Sequence, residues 1–343
     1  MKTRVGVFGL GFMGATHLKA WAQVPAAALT ALGNPSGRHL DGDFTDVSGN
    51  VGDQTPLKLD MMDVHAFRSL EEMLKGDTVE VVDLCTPTHV HADQAIAALE
   101  AGKHVICEKP MARTSAEARR MIDAARAANR LLMPAMCLRF WPEWQWLKHA
   151  VDSGEYGRVL SAQFTRIAQP PAWGKSAFLD GEKSGGALLD LHIHDVDFVL
   201  HLFGKPKSVN SAGYTKVSGW IDHLVTRYEV ASGAMVHAEG GWAMSQGFGF
   251  KMAYLVNFEN ATADYDCTRS ERPLRLYTDG KDTPLECSGP DGYIGQLTHF
   301  IDCVQSGTTQ CAITPEDGLH ALEVCEAEEA SIKAMTPIQL LDW

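Results

Sequence analysis

Three glycines, one lysine and an aspartate–histidine pair are the residues of this chain whose types and spacing fit a chemical task. Gly9, Gly11 and Gly14 form a G-x-G-x-x-G pattern. It follows the apolar run 5–8 and precedes an alanine- and leucine-bearing stretch at 15–22. In a strand–turn–helix context each glycine has a task. Gly9 permits the turn, Gly11 lets the backbone approach a pyrophosphate, and Gly14 lets helix and strand pack closely. Phe12 and Met13 complete the loop. The first helix amides, which lack intrahelical partners, then face the phosphates. Lys109 follows the expected strand 103–107 within Glu108-Lys109-Pro110. Asp190 and His194 lie four apart in a helical stretch and share one face. An aspartate beside a histidine holds its tautomer and raises its basicity. His192 points elsewhere on that helix. Alternate histidines converge on a strand and diverge on a helix, so no metal site is expected from His192-x-His194.

The elements that must position these residues alternate in the first third. Strands are expected at 5–8, 28–33, 79–85, 103–107 and 131–136, with helices at 15–22, 69–74, 91–101 and 114–129 between them. Thr114-Ser115-Ala116-Glu117 is a capping box that starts the last of these. Such alternation signals a doubly wound parallel sheet, on which ligands bind beyond the carboxyl ends of strands. Gly9, Asn34, Thr86 and Lys109 all fall at such ends. From Arg38 to Asp63 glycine and aspartate dominate, and a loop at the adenine end is expected. The grammar then changes. A helix at 143–151, a strand at 159–166 and a helix at 187–203 lead into consecutive strands at 207–216, 224–231, 234–242, 250–258 and 261–266. These imply an antiparallel sheet. Thr314-Pro315-Glu316-Asp317 opens a last helix reaching about 334. The fold class is therefore α/β. A Rossmann domain at 1–130 is followed by an α+β domain at 131–343 with an open, mostly antiparallel sheet. The last helix is free to pack back on the first domain.

The end of the second strand bears on the cofactor. An acid there, about twenty residues past the glycines, would hold the ribose diol of NAD. This chain has Asn34 instead, followed by Ser36 and Arg38. Donors and a positive charge suit a 2′-phosphate, so NADP is preferred slightly over NAD. NAD held through Asn34 is the alternative.

Composition narrows the partners. The chain has 343 residues, enough for two domains, and 45% hydrophobic residues, as a soluble globular protein has. Its net charge of −13 argues against nucleic acid or an anionic membrane as partner. No apolar run approaches the ~20 residues of a membrane span. Eight scattered cysteines without a CxxC pair fit reduced thiols and a cytoplasmic setting.

Beyond these readings the sequence resembles the Gfo/Idh/MocA family of oxidoreductases, the glucose–fructose oxidoreductase and inositol dehydrogenase group. The resemblance covers nearly the whole chain. It rests on Gly9 to Gly14, on Thr86-Pro87-Thr88-His89-Val90-His91 and on Ala101 to Pro110. It continues through Arg139-Phe140, Gly185-Gly186 with Asp190 and His194, and Pro315-Glu316-Asp317-Gly318. It implies a catalytic trio of Lys109, Asp190 and His194 at the nicotinamide, with Glu108 at the nicotinamide ribose. It also implies a cis peptide before Pro110, and a homodimer or homotetramer built on the open sheet. Thr86, Pro87 and His91 join the cofactor-binding set. The chain departs from the family pattern at His192, where glycine is usual. That bulk either narrows the substrate pocket or turns away into a structural contact.

Together these features point to an NAD(P)-dependent oxidoreductase acting on a secondary alcohol or ketone of a sugar, polyol or related compound. His194 is the expected general base, and Lys109 stabilises charge on the substrate oxygen. Asp190 orients one or the other. Arg139, at a strand end, and Trp173, in a proline-rich loop, are further substrate candidates with His192. The alternative is a glycosidase that uses bound NAD(P) transiently through a keto-sugar.

Overall fold

The computed structural model describes residues 2–49, 54–171, 179–308 and 311–340. The chain divides into two compact units, 1–137 with 291–319, and 138–290 with 320–343.

The first unit holds six strands: β1 (Thr3–Phe8), β2 (Ala27–Gly33), β3 (His65–Phe67), β4 (Val81–Leu84), β5 (His104–Cys107) and β6 (Leu132–Pro134). They lie in the order β3-β2-β1-β4-β5-β6, every pair parallel. This is the expected doubly wound sheet. The strands are near-continuous apolar runs because helices cover both faces of such a sheet. Val5, Val7, Val81, Val82, Val105 and Ile106 have no exposed surface. Its helices are α1 (Phe12–Trp21), α2 (Leu70–Leu74), α3 (His91–Glu100) and α4 (Ser115–Ala128). The capping box at α4 is closed in both directions. Thr114 Oγ1 accepts from the Glu117 amide at 3.2 Å, and Glu117 Oε2 accepts from the Thr114 amide at 3.1 Å. Among the described residues of 38–63 there is no helix and only one isolated bridge, Asp43 with Lys58.

The second unit contains α5 (Pro142–Ser153), β7 (Val159–Ala168) and a π turn, Leu188–His192, that runs into α6 (Ile193–Phe203). The strands β8 (Ser208–Tyr214), β9 (His223–Glu229), β10 (Met235–Gly241), β11 (Phe250–Phe258) and β12 (Thr262–Asp266) follow. After them come β13 (Leu274–Thr278) and β14 (Lys281–Leu285). With β15 (Ile338–Gln339), β7 to β14 form a nine-stranded sheet in the order β14-β13-β12-β11-β7-β10-β9-β8-β15. Only β10 with β7 runs parallel. One face carries Ala162, Phe164 and Tyr254 into the core, where Trp144 of α5 meets Phe198 edge-on at 4.7 Å and Tyr254 at 5.3 Å. The other face exposes Val225, Met235 and Leu255.

The structure differs from the expected outline in several places. The first unit extends to Cys137 and includes β6, where the expected boundary stands at 130. The chain also returns to that unit at 291–319, bringing α7 (Gly292–Ser306). The last helix, α8 (Pro315–Ala334), starts in the first unit and ends in the second. β3, β13, β14, β15 and α7 were not expected from the sequence. Arg139 lies in a 3-10 turn, Cys137–Phe140, and not at a strand end.

Candidate active site

In the first unit the glycine loop has the geometry its spacing calls for. Gly9 has φ +101°, and a Cβ there would lie 2.5 Å from the Cys85 carbonyl oxygen. A Cβ on Gly14 would lie 2.1 Å from the Gly9 carbonyl oxygen, so α1 packs against the turn as only glycine allows. Gly11, the N-cap of α1, is exposed, and a Cβ there would meet no atom within 4 Å. This open approach meets a helix start with no acid in its first turn. The residues present therefore fit a pyrophosphate.

The neighbouring strand ends complete this edge. After β2, Asn34 Oδ1 accepts from the Ser36 hydroxyl at 3.0 Å, and its Nδ2 donates to the Arg38 carbonyl at 2.9 Å. Asn34 and Ser36 thus brace their own loop. Arg38 is exposed and pairs with Asp46 at 3.1 Å. Arg68, just past β3, was not foreseen. Its guanidinium lies over Gly37, where a Cβ would come within 2.8 Å of it. After β4, Thr86 donates to Gln94 Oε1 at 2.6 Å, and Pro87 is exposed. His91, expected in the cofactor-binding set, has carbonyl partners on both ring nitrogens. Its ring is 1% exposed and sits between the Pro110 carbonyl at 2.9 Å and the Thr86 carbonyl at 2.7 Å. Burial lowers its pKa. It ties two strand-end loops together. After β5 come Glu108 and the half-buried Lys109, with a cis Lys109–Pro110 bond as the resemblance implied.

Behind this edge lies a polar node that sequence reasoning missed. His17, on α1, has no exposed surface. Its Nδ1 faces Asp83 Oδ2 at 2.9 Å and its Nε2 faces Glu108 Oε1 at 2.9 Å. Trp21 donates to the same Asp83 oxygen at 2.7 Å, and Gln296 of α7 approaches Nε2 at 3.4 Å. Burial, the largest single influence, lowers the His17 pKa. The charge and hydrogen bonds of Asp83 and Cys85 together raise it well above the ordinary value. One Glu108 carboxylate oxygen faces the His17 ring, and the other accepts from the Lys109 amide at 3.1 Å. The only local signal was a histidine on the buried side of α1.

The second unit carries the other chemical groups. Gly185 and Gly186 both have positive φ, +82° and +67°. Beyond them the backbone enters the π turn. Asp190 lies within it and His194 just after it, both half-buried. The expected helix 187–203 is thus interrupted near its start by a π turn. His192 makes a structural contact, one of the two roles expected of it. It is fully buried, with Nε2 3.3 Å from Glu328 Oε1 and 3.2 Å from the Tyr228 hydroxyl. The Arg139 guanidinium is bidentate to Asp197, at 2.9 and 2.6 Å, with both side chains buried. Trp173 lies outside the described residues. The proposed trio is divided between the units, Lys109 in the first, Asp190 and His194 in the second.

A parallel doubly wound sheet with this glycine loop has the form of a dinucleotide-binding domain. Residues 3–136 match the oxidoreductase family with an NAD-binding Rossmann fold, and residues 144–264 match the GFO/IDH/MocA C-terminal domain. The chain belongs to the Gfo/Idh/MocA family. It is 33% identical over 63% of its length to levoglucosan dehydrogenase of Pseudarthrobacter phenanthrenivorans, spanning 54% of that protein. It is 28% identical to myo-inositol 2-dehydrogenase of Thermotoga maritima over 98% of both chains. Its fold matches the crystal structure of aldose-aldose oxidoreductase from Caulobacter crescentus with a TM-score of 0.85 at 22% identity, covering 99% of this chain and 100% of that one.

Proposed function

We propose that this protein is an NAD(P)-dependent dehydrogenase of a secondary alcohol, or reductase of the matching ketone, on a sugar, polyol or related compound. One observation carries the reading. The parallel strands β1, β2, β4 and β5 deliver Gly9, Asn34, Thr86 and Lys109 to the same carboxyl edge of one sheet. The dehydrogenase names of the relatives favour net oxidation over the transient-cofactor glycosidase.

The nicotinamide, when bound, supplies the hydride acceptor or donor. The chain's own residues handle the proton and the charge. His194 accepts the hydroxyl proton at a ring nitrogen as the alcohol is oxidised, and returns it in the reverse direction. The Lys109 ammonium donates to the substrate oxygen and offsets the charge that develops there. Asp190, four residues before His194, orients the ring or the ammonium. Glu108, held by His17, presents a fixed anion at the nicotinamide ribose. Phe12 and Met13 flank the phosphates.

NADP is the preferred cofactor. Asn34 stands where an acid would repel a 2′-phosphate, and the Arg38 and Arg68 guanidinium groups flank that loop. The Arg38–Asp46 pair is exposed and contributes little that a phosphate would have to displace. A cytoplasmic setting fits the eight free cysteines. The exposed Val225, Met235 and Leu255 support a homodimer or homotetramer through the open sheet face. Light scattering that returns a monomer mass would remove that part of the reading.

The test is a screen of sugars and polyols against both cofactors, read by reduced-nicotinamide fluorescence. Lys109→Ala is expected to lower turnover at least about 1,000-fold while cofactor binding survives. Near wild-type turnover in that variant sinks the mechanism.

A further inference from the structure

The π turn that carries Asp190 is backed by a buried network without an assigned part in the reaction. His192 is the last residue of that turn. Its ring lies directly over Gly240 of β10, where a Cβ would come 2.5 Å from Nδ1 and 2.7 Å from the His192 Cβ. Its Nε2 meets Glu328 Oε1 of α8 at 3.3 Å and the Tyr228 hydroxyl of β9 at 3.2 Å. Tyr228 in turn donates to Glu328 Oε1 at 2.7 Å. None of the three side chains is more than 1% exposed.

Among the described residues, no protein group hydrogen-bonds two buried atoms of this network, His192 Nδ1 and Glu328 Oε2. A polar cluster left partly unsatisfied is a weak source of net stability. Geometry is the better account of it. A π turn is closed by i→i+5 hydrogen bonds, a rare interruption of a helix found mostly at functional sites. Its loss would change the angle between Asp190 and His194, which lie on either side of His192. Where the family resemblance leads one to expect glycine on the turn, this chain has the bulk on the turn and the glycine on the facing strand.

We propose that His192 is a positioning residue. By filling the space over Gly240 and donating to the Tyr228–Glu328 pair, it locks the π turn and so sets Asp190 and His194 in the arrangement the reaction uses. This inference rests on the reading of Asp190 and His194 given above.

The experiment is steady-state kinetics on the full chain, with the fastest sugar or polyol from the screen. It is run well below each variant's own melting temperature. His192→Gly is expected to lower kcat at least tenfold with the cofactor KM within twofold of wild type. His192→Gln, which keeps a donor for Glu328, is expected to recover most of that loss. Should His192→Gly not fold, Tyr228→Phe removes a single hydroxyl and carries the same test, with kcat down at least threefold and cofactor KM unchanged. A merely structural role predicts lower melting temperatures with kcat unchanged, and that result overturns the proposal. So does a loss that falls on the cofactor KM. If His194→Ala keeps wild-type turnover, the underlying reading fails. If His194→Ala is inactive and the His192 variants are unaffected, only the positioning role fails.

Discussion

In the first unit His17 faces a carboxylate on each ring nitrogen, Asp83 and Glu108, both at 2.9 Å. In the second unit His192 reaches one carboxylate, Glu328, shares it with Tyr228, and leaves Nδ1 unsatisfied above a glycine. Both rings are fully buried. The first node is balanced by charge, the second by shape. A cation between two buried anions stabilises chiefly because removing it leaves both anions uncompensated. A ring fitted over glycine acts through the conformation it enforces. The two histidines should therefore fail differently, one in stability and the other in turnover.

The largest effect is expected at the charged node. His17→Leu leaves Asp83 and Glu108 buried without their cation and should cost about 3–5 kcal/mol of unfolding free energy, read by denaturant titration. A loss under about 1 kcal/mol would erase the contrast between the two nodes. The pH dependence sharpens it. The His17 pKa is raised in the folded state, so its stabilisation is complete below its unfolded value of about 6.5. It declines as pH rises through the folded value. Melting temperature should accordingly fall on the alkaline side in the wild type, and His17→Gln should lack that component. The smallest effect belongs to the exposed edge. Arg38→Ala should raise the Kd for NADP about fivefold and leave that for NAD within twofold. Equal shifts for both cofactors would remove the basis for preferring NADP.

What could be read from sequence had local causes. The glycine spacing, the Thr114 capping box and the Thr314-Pro315 helix start each act within a few residues. In the structure Thr314 Oγ1 accepts from the Asp317 amide at 3.2 Å, as such a start requires. Lys109 and Thr86 were legible because a parallel sheet places every strand's carboxyl end on one edge. The misses have causes too. β3 is three residues long and mostly exposed, too short for a pattern. α7 contains Gly292 and Gly295, which weaken its helical signal, although Asp291 caps it and Gly307 ends it. Arg139 reads as a free cation because its partner, Asp197, is 58 residues away. The same holds for His17 with Asp83, 66 residues apart, and for His192 with Glu328, 136 apart. Side-chain chemistry was visible at each position, but the pairing that decides its use was not.

The return of the chain at 291–319 has a practical consequence. In linear order, residues 138–290 are an insert within the nucleotide-binding unit. A truncation ending at Cys137 would keep all six parallel strands yet lose α7, and with it Gln296 beside the His17 ring. Expressing the front of the gene is therefore not a way to isolate a cofactor-binding fragment. A fragment that joins 1–137 to 291–319 would keep α7 with the six strands.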